Sequence, residues 1–99
     1  MKELLTICNE MQDELHGAKD YAKKYQALKV DMPILAKKYY EMATDELKHA
    51  GYFHDMIVEK MKECKDSLGE IPEYIADVWE EKNNYYIDKV SCVKVILNM

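Results

Sequence analysis

Leu4, Cys8, Met11, Leu15, Ala18, Ala22 and Tyr25 recur at alternating spacings of four and three residues. Only an α-helix gathers such positions onto one face, so the spacing predicts a helix from about Lys2 to Leu28 with one apolar stripe. The stretch KVDMP, residues 29–33, interrupts it. The residue before a proline avoids helical backbone angles, whereas proline itself is tolerated in a helix's first turn. A second helix is therefore expected from about Pro33 to Ser67. The next joint is SLGEIP, residues 67–72. Gly69 suits the left-handed residue that ends a helix, and Pro72 suits the start of another, expected over residues 72–97. That third helix carries Ile75, Trp79, Tyr86, Val90, Val93 and Leu97, interrupted by Lys82 and Lys89.

The expected architecture is all-α: a single domain over residues 1–99, made of an antiparallel helical hairpin and a third helix. Three glycines and two prolines are too few for a turn-rich β fold. So short a chain buries a modest core, and self-association is expected. The net charge of −5 argues against a nucleic-acid partner. No apolar run approaches the ~20 residues of a membrane span, so no membrane partner is expected. Acids enter the N-terminal stretch MKELLTICNEMQDE too early for a signal peptide. Cys8, Cys64 and Cys92 are an odd number without CxxC spacing. Free thiols in a reducing cytoplasm fit them better than a disulfide framework or a cysteine-built zinc site.

The second helix raises a chemical question. Tyr39, Met42, Ala50, Phe53 and Ile57 fall along one side of it, yet Glu46 stands at the centre of that stripe with His49 one turn later. In a hairpin turning near Val30, Glu14 and Glu46 are each sixteen residues from the turn and should lie level. His49 follows Glu46 by three and shares its face. Two carboxylates and an imidazole are thus expected inside an apolar seam, where burial without a partner is costly. The chain contains no arginine, and Lys60 is too far along the helix to pair with Glu46. A divalent cation would relieve the repulsion, and these donors suit iron, manganese or zinc. Glu10, one turn before Glu14, is a candidate auxiliary ligand. Asp45 should point outward. His16 and His54 read as surface residues or as groups supporting the site from outside.

Glu14, the E-x-x-H pair Glu46 and His49, and Tyr21 seven residues after Glu14 together resemble the ferritin-like di-iron superfamily over roughly residues 7–57. The resemblance implies Glu14, Glu46 and His49 as metal ligands and Tyr21 as a group that hydrogen-bonds a bridging glutamate or supplies an electron. The third helix has no histidine, and its acids Glu73, Asp77, Glu80, Glu81 and Asp88 lie away from its apolar side. One chain therefore holds half of such a site. Two chains in a homodimer, or a higher even-numbered homo-oligomer, would complete a four-helix bundle with four glutamates and two histidines around two irons. This half-bundle arrangement is similar to that of encapsulated ferritins, which implies a cytoplasmic protein or one inside a protein compartment. The activity implied is oxidation of ferrous iron, of ferroxidase or peroxidase type, without a rubredoxin-like cysteine set. The alternative is a non-enzymatic helical interaction protein in which Glu46 and His49 fix the register of an apolar interface.

Overall fold

The computed structural model describes residues 2–99 and is all-helical: α1 spans Lys2–Leu28, α2 Pro33–Leu68 and α3 Glu73–Leu97. Both joints behave as the sequence predicts. Met32 is non-helical, with φ −135° and ψ 65°, and Pro33 opens α2. Gly69 closes α2 with φ +79°, its N–H donating to the Lys65 carbonyl at 2.8 Å. This is a left-handed conformation that glycine adopts without a steric penalty. Pro72 sits one residue before α3, not inside it. Its carbonyl accepts from the N–H groups of Ile75 and Ala76 at 3.0 Å, giving the new helix its first bonds.

The helices form an elongated rod of 56 × 17 × 16 Å with a radius of gyration of 16.1 Å. A compact domain of this length would have a radius near ~13 Å. The difference follows from α2, whose 36 residues span about 54 Å at 1.5 Å per residue. A rod this thin has a core only one layer deep.

That core is the seam between α1 and α2. On α1 the predicted stripe is buried from Leu4 to Ala22. On α2 the buried line is different from the expected one. It is Ala36, Ala43, Ala50 and Ile57, at strict seven-residue spacing, followed by Met61. Tyr39 and Phe53 are only half-buried, and Met42 is 40% exposed. The heptad period explains the change. Seam positions recur every seven residues in left-handed helix packing, and alanine there lets the two helices close up. Bulkier side chains then stand at the edges of the seam.

Helix α3 runs back alongside α1 and packs on it far more than on α2. Ile75 joins Leu4 and Met61 at one end, while Val93 and Leu97 join Ala18 and Ala22 at the other. Polar contacts supplement this packing. The Tyr85 hydroxyl lies 2.6 Å from His16 Nε2. His54 Nε2 lies 2.8 Å from Asn83 Oδ1, and its ring stacks on Tyr86 at 4.2 Å. His16 is exposed, as expected, and its contact with Tyr85 also ties α1 to α3; His54 is half-buried against α3. Of the lysines that break the α3 stripe, Lys82 reaches α1, its Nζ donating to Gln12 Oε1 at 3.3 Å, and Lys89 lies over the Tyr85 ring of its own helix.

Enlarging a seam alanine should force the hairpin apart. Ala50→Leu should lower the unfolding free energy by about 1–3 kcal/mol, as overpacking of a closed core does. Met56→Leu, on the exposed edge, should be close to neutral. Urea denaturation midpoints of the two variants check the contrast.

Candidate metal centre

The short turn sets Glu14 and Glu46 at the same level of the hairpin, as the residue count predicts. One ligand atom from each of Glu14, Glu46 and His49 lies within 4.8 Å of the others. Glu14 Oε2 is 3.5 Å from His49 Nδ1. The expected trio is therefore assembled by a single chain.

Its setting differs from the expectation in one respect. Ala43 and Ala50 occupy the centre of the seam, and Glu46 stands at its edge. Glu14 and Glu46 are half-buried, while the His49 side chain is 50% exposed. The trio faces away from α3. Gln12 and His16, which reach α3, are each two residues from Glu14 and so roughly 160° around the helix from it. Gly51, whose α-carbon side faces the Tyr86 hydroxyl, is five residues from Glu46 and roughly 140° around. The face left uncovered carries the trio together with Met42 and Met56, both exposed, and the half-buried Tyr39 and Phe53.

Partial burial and crowding act on Glu46. Desolvation pushes its carboxyl up to about 7; a hydrogen bond with Glu14 and the Glu14 charge add to the rise, Asp45 contributes slightly, and His49 opposes it. Below about pH 7 the Glu46 carboxyl therefore keeps its proton. A cation in that position would take the proton's place.

Gly17 was not anticipated and belongs to the site. A β-carbon there would lie 3.1 Å from Glu46 Oε2 and 3.3 Å from its carboxyl carbon. The missing side chain makes the space in which the Glu46 carboxylate lies. The signal was present in the sequence: a glycine inside a helix costs about 1 kcal/mol relative to alanine, and this one follows Glu14 by three.

The other candidates fall outside the trio. Tyr21 is seven residues, or about 10.5 Å, along α1 from Glu14. It stacks on Tyr39 with ring centroids 6.0 Å apart, and Lys24 lies over both rings. Glu10 is exposed and lines a shallow groove with Ile7 and Met56. Lys60 pairs with Glu3 at 3.3 Å and with Glu63 at 3.8 Å, far from Glu46 as expected. Asp45 is exposed. Cys8, Cys64 and Cys92 are free thiols, and burial pushes the Cys8 thiol up, in keeping with a small apolar core residue.

No protein-family model, curated protein or solved structure matches the chain.

Because the Glu46 carboxyl is raised in the fold, its protonated form is the one the fold favours. Its contribution to stability is complete below the ordinary carboxylate pKa of 4.5 and is lost as pH rises through about 7. Without metal, the wild type should lose stability between those values. Glu46→Gln should lose less and be the more stable of the two at pH 8. Urea midpoints in the presence of a chelator test this, and parallel pH profiles would remove Glu46 as the source.

Proposed function

We propose that the chain is a ferritin-like protein that oxidises ferrous iron at a site shared between two copies. The observation that carries this reading is the trio of Glu14, Glu46 and His49, converging within 4.8 Å on the face that α3 leaves uncovered. Two carboxylates and an imidazole are donors that iron accepts, with manganese and zinc as chemically allowed substitutes. Gly17 reserves space for one of them. Three donors are too few to fill the coordination shell of iron. A second copy brought against the same face doubles the set to four glutamates and two histidines. Four carboxylates then neutralise two divalent cations, and Met42 and Met56 gain apolar cover.

Ferrous iron is the substrate: each ion gives up one electron, and dioxygen or peroxide accepts it. The protein's part is to bind and to manage protons. Glu14 and Glu46 hold the cations, and His49 of each copy adds one nitrogen donor. Glu46 releases its proton when a cation arrives, so uptake of metal drives a proton out. Tyr21, stacked on Tyr39 beneath Lys24, is assigned the supply of an electron or a hydrogen bond to a glutamate.

One observation favours a second reading. The 3.5 Å contact between Glu14 and His49, with a protonated Glu46 hydrogen-bonded to Glu14, satisfies the trio without any cation. In that reading the cluster fixes the register of a helical assembly that has no enzymatic activity.

Elemental analysis after anaerobic loading with ferrous iron, with the mass in solution measured alongside, separates the two. About one iron per chain in an even-numbered oligomer is expected. A folded oligomer that holds no metal would overturn the iron reading. Glu46→Ala should abolish metal binding in the first case and change only the stability or size of the assembly in the second. Gly17→Ala should weaken ferrous binding about tenfold with the helices intact, as changes behind a metal ligand commonly do. Affinity should also fall as pH drops below about 7, because Glu46 then keeps its proton.

A further inference from the structure

The end of the hairpin has a different character from the rest of the rod. Val30 and Ile34 are the most exposed large apolar side chains among the described residues, at 82% and 83%. Met32 and Leu35 beside them are exposed as well. Met32, Ile34 and Leu35 line one shallow, mostly apolar hollow with Asp31, Pro33 and Lys38, and Val30 stands exposed beside it. Single exposed apolar residues are ordinary, but four within six positions form a patch.

Charge marks the same end. Residues 19–41 carry six lysines against three acids, a local balance of +3, while the remainder carries eight lysines against sixteen acids, or −8. The lysines are thus concentrated around the tip, with Lys37 and Lys38 exposed next to it. Asp31 is the one acid among residues 29–38.

The size of the tip selects its occupant. The α-carbons of the rod span only 17 × 16 Å in section, and even with side chains added its end stays below the ~800 Å² per partner that a standard protein interface occupies. A lipid surface sets no such minimum. Each apolar side chain that enters the headgroup region and each lysine near an anionic lipid contributes separately. Among the described residues no helix is long and apolar enough to cross a membrane. That bears on spanning a bilayer and not on resting against one.

We propose that the tip around Val30–Leu35 docks the chain onto an anionic membrane surface. Val30, Met32 and Ile34 enter the headgroup layer, and Lys37 and Lys38 face the lipid phosphates. The tip is about 24 Å along the hairpin from Glu14 and Glu46, so docking and metal binding are independent.

Vesicle flotation of the full chain tests this, with equimolar phosphatidylcholine and phosphatidylserine against phosphatidylcholine alone. The chain should float with the anionic vesicles and not with the neutral ones. The double variant Val30→Asp, Ile34→Asp should reduce binding about tenfold or more. Lys37→Gln with Lys38→Gln should reduce it about fivefold per lysine. All four side chains are exposed, so circular dichroism should show unchanged helix content, and ferrous binding should be unchanged. Failure to float with either vesicle would overturn the proposal, as would equal binding to both or binding that survives both variants. A change in solution mass in the aspartate variant, with no vesicle binding by the wild type, would make the tip a contact between copies instead.

Discussion

Close approach of α1 and α2 along small side chains is the constraint on which the rest of the molecule depends. Ala18 and Ala22 meet Ala43 at the level just above the acidic pair, and Ala50 joins Met11 and Leu15 below it. Alanine buries little apolar area, so this seam gains less from the hydrophobic effect than a leucine seam would. What it provides is proximity. Only with the backbones this near can Glu46 lie over Gly17 and its carboxylate come level with Glu14. The chemistry of the site and the thinness of the core therefore have one cause.

The second organising feature is that α3 covers one side of the hairpin. Of its polar anchors, His16 with Tyr85 lies on the face of α1 turned away from Glu14, and His54 with Asn83 and Tyr86 lies on the flank of α2, about 80° around from Glu46. Two of the three histidines thus serve architecture, and only His49 joins the carboxylates. This division leaves a long face in which polar donors are framed by methionine and aromatic side chains.

Much of this was legible in the residues. The α1 stripe, both joints and the level pair Glu14 and Glu46 followed from spacing, because a short turn between straight helices converts residue count into position. The α2 seam did not. Judged by size, Tyr39, Met42 and Phe53 look like core, yet the heptad of alanines is what the neighbour requires. Hydrophobic bulk is visible in a sequence, whereas the distance between two helices is not. The partners of His16 and His54 were hidden for the same reason, since they belong to α3 and depend on how that helix rotates when it docks. Gly17 is the instructive omission: its cost within a helix marked it as unusual, but its purpose emerged only with the carboxylate beside it.

The attachment of α3 has a consequence for how the molecule breathes. Only Ile75, Val93 and Leu97 of this helix are buried, and it shares little contact with α2. Elements with so few buried contacts open at lower free energy than the whole fold. The chain is thus built as a persistent hairpin with a more loosely held third strut, joined through the left-handed hinge at Gly69. Amide hydrogens of α3 should exchange ahead of those in the alanine seam. Since all three members of the acidic cluster belong to the hairpin, such an opening would leave their mutual geometry in place while exposing Cys8 and the indole of Trp79.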